Sequence, residues 1–186
     1  MTKIVTAPLT DEAIADLRAG DRVLLSGTVL AARDAAHKRL VELIDRGESL
    51  PVDLAGQIIY YAGPAPAKPG KPIGSVGPTT SGRMDAYTPV LLDMGLKGMI
   101  GKGYRNQEVK DAIVRNKAVY FASVGGAAAL NAQCVRSSRI VAYEDLGPEA
   151  IREMVVVDFP VIVVNDIYGG DIYEEGRSQY ERMVGA

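Results

Sequence analysis

The stretch Gly77-Pro78-Thr79-Thr80-Ser81-Gly82-Arg83-Met84, continued from Asp85 to Arg105 as DAYTPVLLDMGLKGMIGKGYR, decides how the rest of the chain is read. Its opening is a loop of small residues that leaves backbone N–H groups and three hydroxyls free. Arg83 stands at a helix entrance. Met84, Tyr87, Val90, Leu91 and Met94 then recur with helical period, and Gly95 closes the run. A short apolar strand, Leu96 to Ile100, leads to Lys102 in a second glycine-rich turn. Hydroxyls, free amides, a guanidinium and an ammonium beside one helix start describe a site for anions. Gly101-Lys102-Gly103 has no Walker spacing around it, so it is not a phosphate loop of that kind.

Working outward, a second cation-bearing helix start lies upstream. Arg22 to Ala32 reads as one strand bent at Gly27, or as two strands joined there. Asp34 is placed to cap a helix from about Ala35 to Arg46, with Leu40, Leu43 and Ile44 on its buried face. Arg33 precedes this helix and His37 lies in its first turn. Before these come a strand at Ile4 to Ala7 and a helix from Asp11 to Arg18 capped by Thr10. Ile58 to Ala62 is a strand. From Gly63 to Thr80 the chain is rich in Pro and Gly and packs as no regular element; it reads as a lid or wall at the site. Downstream, a helix spans Asn106 to Asn116 and a strand Ala118 to Val124. A helix start follows at Ala127 to Leu130, then a strand at Arg139 to Tyr143. Pro148 to Arg152 reads as a short helix, and Val155 to Val164 as a strand broken by Pro160. The tail from Tyr168 to Ala186 reads as surface helix or partner contact. Alternating strands and helices predict an α/β fold.

Composition narrows the function classes. A chain of 186 residues with 47% hydrophobic and 24% charged residues suits one folded domain with its own core. A net charge of −2 argues against a nucleic-acid surface. No apolar run approaches the ~20 residues of a membrane span. Met1 to Thr6 is strand-like rather than the start of a leader, so a cytoplasmic protein is expected. Cys134 is the only cysteine, which rules out an internal disulfide; it is expected as a small buried residue between two strands.

The segment from Gly77 to Arg105 does not stand alone. With Arg33-Asp34-Ala35-Ala36-His37-Lys38-Arg39, Val141-Ala142-Tyr143-Glu144-Asp145-Leu146-Gly147 and Asp158-Phe159-Pro160, in that order, it resembles the β-type iron–sulfur hydro-lyases. These are the small subunit, or C-terminal domain, of class I fumarases and L-tartrate dehydratases. The likeness covers nearly the whole chain. It implies an α/β fold, the swivelling β/β/α domain of the iron–sulfur hydro-lyase beta subunit, across residues 1–186. It also implies a [4Fe–4S] cluster. One thiolate is too few to hold such a cluster, so the cluster would come from a partner alpha subunit, in a heteromer with several copies of each chain.

The resemblance gives roles to particular residues. Arg33, Arg83 and Lys102, all beside flexible loop residues, would fix the carboxylates of a four-carbon dicarboxylate. Taken alone, each would be an ordinary solvated cation. Thr79 and Thr80 are on local grounds a helix cap and its neighbour; the family precedent makes Thr79 the candidate for proton transfer and Thr80 a substrate hydrogen bond. His37, the only histidine, is either an acid/base group or a residue supporting one, with Asp34 beside it. Asp85 reads as a local charge partner or a helix-start residue, not a catalyst. Asp166, Asp171, Glu174 and Glu175 read as exposed charges rather than a metal site. The implied reaction is hydration of fumarate to malate, inactive without the partner. Tartrate dehydration is the alternative, and a non-catalytic anion-binding regulatory module is a reading of another class. Tyr104 stands where the resemblance to some relatives would lead one to expect a small or amide side chain.

Overall fold

A computed structural model gives the fold and describes residues 1–184. Seven strands form one sheet: β1 (Thr2–Ala7), β2 (Arg22–Ala31), β3 (Ile58–Tyr60), β4 (Gly98–Gly101), β5 (Val119–Ala122), β6 (Val135–Ala142) and β7 (Ile151–Asn165). The helices are α1 (Asp11–Ile14), α2 (Asp34–Asp45), α3 (Thr88–Asp93), α4 (Gln107–Arg115), α5 (Ala128–Gln133) and α6 (Ile172–Val184). Strands β2, β3, β4 and β5 pair in that order, all parallel. β7 runs antiparallel to both β5 and β2, so the sheet closes on itself as a barrel. β1 flanks the first half of β2, and β6 the first half of β7.

Period-2 patterning explains how the barrel is filled. Ile58, Tyr60, Ile100, Val119 and Phe121 enter one core with Phe159 and Met154. Their neighbours Ile59, Tyr61, Met99 and Tyr120 point the other way, into a second core. There they meet Leu40 of α2, Leu91 and Leu92 of α3, and Val109 and Ile113 of α4. Strands whose two faces are both buried read as apolar runs, as these do. Because β2 to β5 are parallel, their carboxyl ends all emerge on one rim. The loops carrying Arg33, Gly63, Lys102 and Ser123 begin there. Carboxyl ends of parallel strands are where ligand sites form in open α/β sheets, and the same logic applies to this rim.

Several elements depart from the sequence reading. The periodic run expected as one helix from Met84 to Met94 is divided. A 3₁₀ turn covers Ser81–Met84, and α3 starts only at Thr88, with Pro89 in its first turn. Pro148 to Arg152 is not a helix: a 3₁₀ segment runs through Glu144–Glu149, kinked at Gly147, and β7 begins at Ile151. Nor does Pro160 break the last strand, which continues for 15 residues. β6 pairs with β7 only up to Val156, and β5 only from Ile162. Pro160 therefore lies where one edge of β7 has no partner, and its missing N–H removes no ladder bond there. Cys134 is half-buried at the end of α5, not between strands. Asp34 is the first residue of α2, and Arg33 occupies its cap position. The expected surface helix of the tail is α6, and Gly185 and Ala186 lie outside the described residues.

Gly27 makes the bend in β2 that was expected from the sequence. Its φ is +111°, and a Cβ there would sit 2.3 Å from the carbonyl oxygen of Ala7. The pairing with β7 shifts register at the same point. Gly27→Ala is expected to cost roughly 2–4 kcal/mol, from backbone strain and the clash with β1. Gly47→Ala, with φ of +67° but nothing within 4 Å of the new Cβ, should cost no more than about 1 kcal/mol. Urea midpoints of the two variants at unchanged slope check the difference.

Candidate functional site

The site is assembled from the loops of the barrel rim. After β3, Tyr61 continues the strand direction, and its carbonyl accepts the Thr79 N–H at 2.7 Å. Thr80 forms an isolated parallel bridge with Lys102, one residue beyond β4, and the Ser81 N–H donates to the Lys102 carbonyl at 2.9 Å. The Thr79-Thr80 loop is thus fixed to the Gly101-Lys102-Gly103 turn by backbone bonds, leaving the side chains to face outward. Thr80 and Lys102 are exposed and Thr79 is half-buried. The side chain of Thr80 makes no capping bond to the 3₁₀ turn that follows it. Gly101 is required by contact: a Cβ there would lie 1.9 Å from Ser81 Oγ.

A second group is built around the start of α2. Asp34 Oδ1 accepts from Arg83 Nε at 2.8 Å, which ties the helix to the signature loop. Arg33 Nε lies 3.9 Å from Asp34 Oδ2, and Arg33 Nη2 lies 3.7 Å from Glu149 Oε1. Both are charge contacts without a hydrogen bond, and Arg33 Nε is buried with no partner among the described residues. The guanidinium rests over Gly63, where a Cβ would come within 3.0 Å of Nη1. Glu149 also performs the capping task expected of Asp34: its Oε2 accepts the Ala35 N–H at 3.0 Å. Arg83 joins the two groups, since it follows Thr80 by three residues and bonds Asp34, and the loops carrying Arg33 and Lys102 leave the same rim.

His37 is placed differently. It is fully buried beneath this surface, edge-on to Tyr61 at 5.3 Å between ring centroids. Its Nδ1 lies 2.8 Å from the Arg33 carbonyl, which can only accept, so Nδ1 carries the proton. Nε2 is then a buried acceptor without a partner among the described residues. Burial pushes its pKa down to about 4; the Arg33 bond opposes this, and the charge of Arg105 adds to it. A neutral, enclosed imidazole touching no open surface fits a supporting position rather than contact with a ligand.

Sequence reasoning missed two residues. Arg105, the last residue of the signature stretch and given no role from the sequence, is buried and bonded to Asp85 at 2.7 Å. Asp85 is a charge partner as expected, but not a local one: its cation is Arg105, 20 positions on, while Arg83 pairs with Asp34. Glu149 was hidden in a segment read as helix. The acidic cluster near the end also needs correction. Asp166 and Asp171 are buried, not exposed. Asp166 accepts N–H groups from Ala19, Tyr168 and Gly170, and Asp171 pairs with Lys110 at 2.6 Å. Among the described residues no group of three or more His, Cys, Asp or Glu is arranged to hold a metal ion. The Gly63 to Thr80 loop divides in two. Its last residues build the site, while its tip walls a separate cavity of about 580 Å³ against α5, lined by Lys68, Ile73, Ala132, Val135 and Arg136. Tyr104 is exposed and packs on Tyr173 at 4.8 Å between centroids.

Comparison with known proteins gives this surface a family. The Fumarase C-terminus family model matches residues 2–176. The chain belongs to the Fumarase C-terminus family. It is 44% identical over 156 residues to the anaerobic class I fumarate hydratase of Escherichia coli strain K12, covering 83% of this chain and 28% of that protein. It is 40% identical to fumarate hydratase 2 of Leishmania major, over 84% of this chain and again 28% of the relative. A Methanocaldococcus jannaschii protein, named provisionally as the beta subunit of an L(+)-tartrate dehydratase, is 37% identical over 94% of this chain and 93% of its own length. This chain thus spans about a quarter of the fumarate hydratases it matches and nearly all of the tartrate dehydratase subunit. The expected kinship with both kinds of hydro-lyase is correct. None of the described helices is long and apolar enough to cross a membrane.

The histidine of this Fumarase C-terminus member sets a pH dependence. Its folded pKa of about 4 lies below the ordinary 6.5, so its contribution to stability is complete above pH 6.5 and is lost as pH falls towards 4. Between pH 6.5 and about 5, above most carboxylate titrations, the loss should be roughly 1.5 kcal/mol. Urea midpoints measured across that window should fall for the native chain. They should stay nearly level for His37→Gln, whatever its absolute stability.

Proposed function

We propose that this chain is the beta subunit of a two-part hydro-lyase that interconverts fumarate and malate, acting in the cytoplasm. The observation that carries this reading is the convergence of Arg33, Arg83 and Lys102, with Thr79 and Thr80, on one rim. A four-carbon diacid needs two cationic anchors held apart, with hydroxyls between them at the reacting carbons. Arg33 and Arg83 suit the two-pronged binding of carboxylates, and Lys102 adds a mobile point charge. Backbone bonds hold Thr79, Thr80 and Lys102 in register, so the anchors are oriented before a ligand arrives.

The [4Fe–4S] cluster expected of the family does not fit this chain. Its one cysteine is half-buried at the end of α5, and a cluster needs several thiolates. The cluster would belong to an alpha subunit, and the part of this chain is confined to its own side chains. In this reading the Thr79 hydroxyl carries the proton at the substrate carbon, and Thr80 orients a carboxylate or hydroxyl. For the Thr79 oxygen to take a proton from carbon, its own hydroxyl proton must pass to a neighbouring base. A carboxylate on the partner would accept it, and would return it in the hydrating direction. His37 holds the turn that carries Arg33 through its bond to the Arg33 carbonyl, rather than moving a proton itself. L(+)-tartrate as substrate is the second reading, favoured by the near-complete length match to the Methanocaldococcus jannaschii protein.

Titration of the chain with L-malate, fumarate and L(+)-tartrate, followed by backbone NMR shifts, tests the grip. Shifts should cluster at Thr79, Thr80, Lys102 and Ala35. Arg83→Ala and Lys102→Ala should each weaken binding about 10-fold or more, near 1.4 kcal/mol. Shifts elsewhere, or unchanged affinity in both variants, would refute the proposal. A separate assay addresses the division of labour. Fumarate hydration should need a cluster-bearing polypeptide, and robust turnover by this chain alone would overturn it.

A further inference from the structure

The anion-facing residues sit in two irregular segments, Thr79 to Arg83 and Lys102 to Gly103, and such segments keep a geometry only if something rigid lies behind them. Arg105 occupies that place. It is 4% exposed, and its guanidinium spends its donors on three different elements. Nε donates to Asp85 Oδ1 at 2.7 Å, Nη2 to Thr88 Oγ1 at 2.7 Å, and Nη1 to the Tyr61 hydroxyl at 3.3 Å. The guanidinium carbon also lies 5.0 Å from the Tyr120 ring centre and 5.3 Å from that of Tyr61.

The three arms reach the first segment through its neighbours, and Tyr120, in contact with the same guanidinium, reaches both segments. Asp85 follows the signature loop, and its second oxygen accepts the Asn106 N–H at 2.8 Å. Thr88 donates its own hydroxyl to the Met84 carbonyl at 2.9 Å, at the end of the 3₁₀ turn. Tyr61 carries the carbonyl that holds Thr79. Tyr120, stacked on the same guanidinium, donates to the Gly103 carbonyl at 2.8 Å and accepts from Ser81 Oγ at 2.8 Å. Burial works against the charge on Arg105, but Tyr61, Asp85 and Tyr120 more than offset it and raise the pKa.

Stability alone does not call for such a group. A buried ion pair is replaced by well-packed apolar residues at little cost or with a gain, because desolvation consumes the attraction. What an apolar plug cannot supply is a fixed three-way fork, and neither can lysine. We infer that Arg105 is a positioning residue whose fork locks the Thr79–Arg83 segment and the Lys102–Gly103 turn into one rigid unit. That unit rests on the proposed function only in what it grips; the lock itself does not.

Amide exchange and ligand titration on the full chain separate the two. The Thr79 and Ser81 N–H groups bond across the lock, and the Ala118 N–H, bonded to the Ile113 carbonyl at 2.9 Å, serves as reference. Arg105→Lys keeps the charge and loses the fork. It should speed exchange at Thr79 and Ser81 more than ~10-fold relative to Ala118, and weaken L-malate binding about 10-fold or more. Asp85→Asn, nearly isosteric, should move the same amides in the same direction and stands in if the lysine variant does not fold. Ile14→Ala, a core truncation in α1, should lower the melting temperature with neither effect. Unchanged exchange at Thr79 and Ser81 in Arg105→Lys and Asp85→Asn, or equal changes in Ile14→Ala, would overturn the inference. Faster exchange in a protein whose native form binds no L-malate would uphold the lock and refute the gripping role proposed above.

Discussion

Closure of the sheet by β7 is the constraint on which the rest depends. Four parallel strands alone would leave two open edges, and their carboxyl ends would fan apart with the sheet twist. β7 pairs with β2 along nearly the whole of that strand and with β5 at its far end, which draws the first and last parallel strands together. The loops after β2, β3, β4 and β5 are then held around one rim. Distances between residues far apart in sequence, such as Arg33 and Lys102, are thereby set by strand pairing and not by the loops themselves. Gly27 belongs to the same constraint, because β2 must bend to hold β1 on one side while following β7 on the other.

The rim concentrates positive charge, and the structure shows how this is tolerated. Arg83 and Lys102 face solvent, and Arg33 does so in part, so water screens their repulsion. Asp34 and Glu149, at the start of α2, pair with the arginines, and Asp85 neutralises Arg105. His37, enclosed among these cations, is held neutral by burial and by Arg105. A protonated imidazole there would add an unpaired buried charge next to Arg105. The neutral form instead donates one bond, to the carbonyl of the residue that starts α2. Burial of a titratable group beneath a charged surface thus fixes backbone geometry rather than supplying a reagent.

Much of this was legible in the sequence, for local reasons. The Thr79 to Arg83 loop, the Lys102 turn and the start of α2 announce themselves by small residues and helix-start chemistry, which act over a few positions. The bend at Gly27 and the cap at Thr10 are equally local, and the structure has them. What escaped depends on distant partners. Arg105 looks like any surface arginine until Asp85, Thr88 and Tyr61 are brought to it from three elements. Glu149 takes the capping role from Asp34 because the 3₁₀ segment kinked at Gly147 returns it to Ala35, 114 positions away in sequence. Pro160 was read as a breaker since the strand's missing neighbour at that point is a property of the sheet. Asp166 and Asp171 read as solvated because the partners that bury them, the Ala19 N–H and Lys110, lie in distant segments.

The exposure of the rim bears on why this chain would act in two parts. Arg83 keeps 51% of its side-chain surface in water, and its pairing with Asp34 is of the kind worth at most about 1 kcal/mol when solvated. A diacid held only from this side would keep much of its hydration, and each contact would be correspondingly weak. The same contacts strengthen severalfold once a covering surface excludes water and lowers the local dielectric. A grip built rigid but left open binds its ligand well only when something closes over it. Under the proposed reading the alpha subunit does this and brings the electrophile in the same movement. Rigidity from the barrel and the buried arginine would let this half hold a diacid weakly, at concentrations a titration can reach, with tight binding left to the closed assembly.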